Sequence, residues 1–105
     1  MNSIKKGFKA RKSHLETNLE QYLKNQIEKH GGLCFKFISG VSGVPDRIIV
    51  LNGTTAFIEL KQQNKKPTKL QQKIINDINS CGGLVIVVDS KIKIDQLIKN
   101  LTNKG

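Results

Sequence analysis

The dipeptide Asn52-Gly53 constrains this chain more than any other feature, because it stands between two β-rich runs, Arg47 to Leu51 and Thr55 to Lys61. A two-residue type I′ turn needs positive φ at both central positions, and Asn-Gly supplies it readily. A turn of that length sets the pairing: Leu51 faces Thr54, Val50 faces Thr55, Ile48 faces Phe57, and Asp46 faces Glu59. Two carboxylates then stand opposite each other at the open end of an apolar hairpin. Their Cβ atoms would lie about 4.5 to 5.5 Å apart, where like charges are destabilising. Lys61, two residues beyond Glu59, points to the same face because side chains alternate along a strand. A three-residue turn would slip the register by one and send Asp46 to the other face. Both faces are apolar, so hydrophobicity leaves that alternative open.

Around this hairpin the apolar spacing predicts helices and strands in alternation. Leu15, Leu19, Tyr22, Leu23 and Ile27 recur at helical spacing until Gly31-Gly32 stops the pattern. LCFKFI from Leu33 reads as a strand, broken by the Gly/Ser-rich SGVSGVP loop. After the hairpin, Pro67-Thr68 launches a second helix with Leu70, Ile74, Ile75, Ile78 and Cys81 on its stripe. LVIVV from Leu84 suits a strand covered on both faces, and Ile92, Ile94, Leu97, Ile98 and Leu101 mark a last helix. The order α-β-β-β-α-β-α predicts an α/β fold, a mixed β-sheet flanked by helices.

With 105 residues the chain is long enough for one core. The expected organisation is a basic N-terminal arm over residues 1–13 and a single domain over 14–105. No apolar run approaches the roughly 20 residues of a membrane-spanning helix, and no signal-peptide core follows the basic start, so the expected location is the cytoplasm. Cys34 and Cys81 are far apart, make no CxxC pattern, and read as two buried, reduced thiols. His14 and His30 lack zinc-ligand spacing; His30, beside Gly31, suits a helix C-terminus.

Lys plus Arg outnumber Asp plus Glu by 18 to 8, a formal charge of +10. Such an excess draws polyanions, nucleic acid foremost. Basic residues crowd at Lys5, Lys6, Lys9, Arg11 and Lys12, and again between Lys61 and Lys73, where Lys65 and Lys66 sit in a polar loop. The facing carboxylates can be relieved by solvent, by a shared proton, or by a divalent cation between their oxygens. Mg²⁺ typically takes one or two carboxylates together with phosphate oxygens and water. A lysine beside it could hold an attacking water or a phosphate oxygen. The pattern therefore suits metal-assisted phosphodiester hydrolysis, against the plainer reading of an exposed Glu59-Lys61 pair with Asp46 as a turn residue.

Pro45-Asp46 followed by Glu59-Leu60-Lys61 after a hairpin resembles the PD-(D/E)xK nuclease superfamily. Glu16 in the first helix, GGLCFKF, SGVSGVPDRI, FIELK, Gln71 and CGGLVIVVDS narrow the resemblance to its virus-type replication-repair nuclease (VRR-NUC) family, over about Glu16 to Ser90. The similarity implies a restriction-endonuclease-like fold and a Mg²⁺- or Mn²⁺-dependent DNA endonuclease. It also implies a homodimer of the small phage type, acting on branched DNA such as a Holliday junction. Asp46 and Glu59 would ligate the metal, with the Leu60 carbonyl as a further ligand, and Lys61 would position water or stabilise charge on the phosphate. Gln71 would orient the cluster and Glu16 supply a third acid, with Glu20 one turn on as its substitute.

Plainer roles compete for several of these residues. Ser13-x-x-Glu16 and Thr68-x-x-Gln71 both read as capping boxes. Lys36 is a candidate phosphate contact or a solvated strand lysine. Ser39, with Gly40, Ser42 and Gly43, either lets a DNA backbone approach or forms a flexible loop. For the whole chain, a non-catalytic nucleic-acid-binding module and a flap or nicking nuclease are the rival readings.

Overall fold

In the computed structural model, residues 14–103 are described, with side chains from residue 18 onward. The arm lysines and arginine (Lys5, Lys6, Lys9, Arg11, Lys12), Ser13 and the Glu16 side chain lie outside these. Seven elements follow in the expected order: α1 (His14–Lys29), β1 (Leu33–Lys36), β2 (Arg47–Leu51), β3 (Thr54–Leu60), α2 (Lys69–Ser80), β4 (Val85–Val88) and α3 (Lys91–Thr102). The strands form one sheet in the order β1-β2-β3-β4. β1 to β3 are antiparallel and β4 joins β3 in parallel, so the sheet is mixed. Among the described residues no helix is long and apolar enough to cross a membrane.

The hairpin forms on a two-residue turn. Asn52 and Gly53 both take positive φ, 50° and 84°, as the type I′ geometry demands. Leu51 pairs with Thr54, Val50 with Thr55 and Ile48 with Phe57, which is the two-residue register. The Asn52 side chain also donates to the carbonyl of Leu101 at 2.6 Å, tying the turn to the last turn of α3. That carbonyl would otherwise lack an intrahelical partner.

Alternation along the strands sorts the two faces of the sheet. Cys34, Ile49, Leu51, Ala56, Ile58, Leu60 and Val88 pack in one cluster with Leu19, Leu23 and Ile27 of α1 and Ile94, Leu97, Ile98 and Leu101 of α3. The helical residues recur three or four apart, which gives each helix one apolar stripe to bury. Leu23, Ile27 and Ile94 are wholly inaccessible, and each such side chain contributes roughly 1.5 to 3 kcal/mol through burial. The second face is covered less. Ile75 of α2 is buried outside the main cluster, while Leu33 and Phe35 of β1 are exposed.

Four expectations need correction. β4 is an edge strand of the sheet rather than a strand covered on both faces: Val88 is buried, but Val87 is exposed. A continuous apolar run is shared by central strands and by edges with one bare side, so composition could not separate them. Cys81 is exposed at the C-cap of α2, because the stripe of that helix ends before it; Cys34 is buried as expected. β1 stops at Lys36, short of Ile38, and β3 runs from Thr54 to Leu60, one residue earlier than its pattern suggested.

Candidate metal and phosphodiester site

Asp46 sits just before β2, at the end of a loop held at several points. Gly43 takes φ +91°, and a Cβ there would lie 2.9 Å from the Leu70 side chain and 3.2 Å from the Leu70 carbonyl. The loop therefore lies directly on α2, closer than any side chain would permit. Pro45 is fully buried. The carbonyl of Asp46 accepts a hydrogen bond from the Phe37 N–H at 2.8 Å, which carries the β1–β2 pairing one step past Lys36 and Arg47. The Asp46 carboxylate is left 51% exposed on this fixed base.

Continuing the observed register one step beyond Arg47 and Ile58 puts Asp46 opposite Glu59. Glu59 lies on the central strand β3, beside Val87 of β4, and its side chain is 10% exposed. Lys61 follows on the same side, its Nζ 3.6 Å from a Glu59 carboxylate oxygen and its side chain 16% exposed. Carboxylate and amine are thus both shielded, where their interaction is screened less than on an open surface. The Lys61 N–H donates to the Val88 carbonyl at 3.0 Å. In a trans peptide the preceding carbonyl points the opposite way, so the Leu60 carbonyl is directed to the β2 side, beyond the end of the ladder. Two carboxylates and a carbonyl make a hard oxygen donor set of the kind Mg²⁺ and Mn²⁺ accept. Among the described residues no group of three or more His, Cys, Asp or Glu side chains is placed to hold a metal ion. The acid of α1 expected at Glu16 lies outside the described side chains.

The substitute acid, Glu20, is engaged elsewhere: its carboxylate meets the Arg47 guanidinium at 2.8 Å. Arg47 joins the site's surroundings although no motif marks it. It opens the run RIIVL, and alternation with the buried Ile49 and Leu51 sends its side chain inward; that alternation was the available signal. Gln71 closes a capping box. Its Oε1 accepts from the Thr68 N–H at 2.9 Å and its own N–H donates to the Thr68 hydroxyl at 3.1 Å, so the side chain serves its own helix. Ser39 accepts from the Val41 N–H at 3.0 Å, a local loop bond. Lys36 is exposed and pairs in register with Arg47, one step along the sheet from Asp46. Lys65 and Lys66 are exposed in a groove shared with Lys93 and Asp89.

Known proteins carry the same frame. A solved VRR-NUC domain superposes with a TM-score of 0.77 at 33% identity, covering 83% of this chain and 97% of that one. In sequence, "Putative nuclease p44" of Acyrthosiphon pisum secondary endosymbiont phage 1 is 40% identical over 78 residues, which span 72% of this chain and 84% of that protein. This chain belongs to the VRR-NUC nuclease family. No family model matches it, so membership rests on the relative and on the shared fold. The mixed four-stranded sheet with helices on its faces is the VRR-NUC fold, and within it Asp46 and the Glu59–Lys61 pair lie at the same end of the β2–β3 hairpin.

Proposed function

We propose that this VRR-NUC protein is a Mg²⁺- or Mn²⁺-dependent endodeoxyribonuclease that cuts branched DNA, Holliday junctions included, as a homodimer. The observation that carries the reading is the shielded Glu59–Lys61 pair, 3.6 Å apart, on the strand whose register, continued one step past Ile58, comes to face Asp46. A solvent-exposed pair of structural charges would not need that shielding.

In this reading Asp46, Glu59 and the Leu60 carbonyl hold the cation, with Glu16 as a further acid from α1. The cation supplies Lewis-acid stabilisation of the charge that builds on the scissile phosphate. Lys61 donates hydrogen bonds to a phosphate oxygen or to the attacking water, and its amine offsets negative charge where water is partly excluded. Lys36, Ser39, Lys65, Lys66 and the arm residues Lys5, Lys6, Lys9, Arg11 and Lys12 contact the DNA backbone, consistent with a net charge of +10. Exposed apolar side chains support the homodimer: Leu33 and Phe35 share one sheet face, and Ile38 and Val41 lie in the loop beyond. Symmetric cutting of a four-way junction needs two sites related by a two-fold axis.

Labelled four-way junction, flap and linear duplex DNA, incubated with and without Mn²⁺, test the proposal. The expected result is metal-dependent cleavage with the junction preferred. A folded, DNA-binding preparation that cuts none of them would leave a binding module instead. A strict monomer by sedimentation would turn the reading toward flap or nicking activity.

A further inference from the structure

A buried arginine in an apolar strand needs a reason, because guanidinium groups are rarely buried without partners. The Arg47 side chain is 10% exposed. One of its terminal nitrogens meets Glu20 of α1 at 2.8 Å. The other donates to the backbone carbonyl of Asp46 at 3.0 Å and lies 3.8 Å from the Asp46 carboxylate. That same carbonyl also accepts the Phe37 N–H at 2.8 Å, so both lone-pair directions of the oxygen are occupied. The peptide that carries Asp46 is thus gripped from β1 on one side and from Arg47 on the other.

A role in stability alone does not require this arrangement. Apolar residues often replace buried ion pairs at no loss of stability, and the neighbours of Arg47 on this face, Ile49 and Ile58, are wholly buried aliphatics. What an aliphatic side chain could not do is donate a hydrogen bond to the Asp46 carbonyl while anchored to α1. We infer that Arg47 is a positioning residue for the metal site, which holds Asp46 in its ligating orientation and uses Glu20 as its own anchor. Glu20 therefore acts through Arg47 rather than as a ligand. The inference rests on the proposed reading of Asp46 as a metal ligand.

Arg47→Lys separates positioning from structure. A lysine keeps the charge and can meet Glu20, but a single ammonium lacks the forked pair of nitrogens that reaches Glu20 and the Asp46 carbonyl together. Titration of the whole protein with Mn²⁺ alone, followed by calorimetry or by the spin resonance of the free ion, measures the site without relying on turnover. The expected result is an affinity for Mn²⁺ about tenfold or more below that of the parent, as for other partners that orient metal ligands, with the thermal midpoint little changed. Arg47→Met is expected to weaken Mn²⁺ binding at least as much. An unchanged affinity in folded Arg47→Lys, alongside normal Mn²⁺ binding by the parent, overturns the positioning role and leaves a structural ion pair. Failure of the parent itself to bind Mn²⁺ overturns the metal reading, and this inference falls with it.

Discussion

Glu59 and Lys61 stand on the same side of the central strand with carboxylate and amine 3.6 Å apart, and neither side chain is more than one-fifth exposed. The pair couples a candidate ligand to a candidate charge stabiliser within three residues, so single changes should separate binding from chemistry. Lys61→Met is expected to slow cleavage by about 10²- to 10³-fold, the loss seen when one donor to a developing negative charge is removed. Glu59→Gln and Asp46→Asn should stop metal-dependent cutting, yet leave DNA affinity equal or higher, since each removes a negative charge from the surface that meets phosphate. Cleavage rates at saturating Mn²⁺, set beside DNA affinity in EDTA, check both halves.

Gly43 governs how the loop meets α2. Its positive φ disfavours any L side chain, and a Cβ would press on both the side chain and the carbonyl of Leu70. Gly43→Ala is therefore expected to destabilise the fold by more than about 1 kcal/mol, beyond the ordinary exchange of glycine for alanine. Because the loop runs on through Pro45 to Asp46, cleavage should fall further than the loss of folded protein explains. Urea unfolding and activity per folded molecule measure the two effects.

The two cysteines should differ in reactivity. Burial pushes the Cys34 thiol up from its ordinary value, and the nearby Arg47 charge only partly opposes the shift; Cys81 is exposed. A disulfide-exchange reagent at pH 8 should modify Cys81 in the folded protein and reach Cys34 only on unfolding. The shift also has a sign for stability. With the folded thiol raised above the unfolded one, its contribution is fully present below the unfolded value of about 8.5 and is lost as pH rises from there through the folded value. Labelling stoichiometry with and without urea, and unfolding midpoints between pH 7.5 and 9.5 for the parent and Cys34→Ala, check both statements.

The register of the hairpin was legible because it depends on local chemistry: Asn52 and Gly53 demand their turn whatever surrounds them. The capping box of α2 was legible for the same reason, since Thr68 and Gln71 interact within one turn. That box engages the Gln71 side-chain oxygen with the Thr68 N–H. What the sequence concealed depends on how elements lie against each other. Nothing local says that Glu20 of α1 reaches the first residue of β2, because the packing of α1 on the sheet brings them together. The half-bare state of β4 was hidden too, since Val85 to Val88 would read the same in the middle of a sheet.

Lys65 and Lys66 lie in the polar loop after β3, both exposed, in a groove with Lys93. If they contact phosphates, each releases counterions when DNA binds, and the salt dependence of affinity counts them. Lys65→Ala and Lys66→Ala should each weaken binding to duplex and junction DNA alike, and each should reduce the slope of log affinity against log salt by about 0.9. Uniform weakening is expected because a phosphate contact carries no sequence information. Lys73, whose amine is held by Asp77 at 2.8 Å on the exposed side of α2, is the internal control, with Lys73→Ala predicted to leave the slope nearly unchanged. Fluorescence anisotropy across a series of salt concentrations decides it: slopes that stay the same for Lys65 and Lys66, or fall as much for Lys73, would move the DNA path away from this groove.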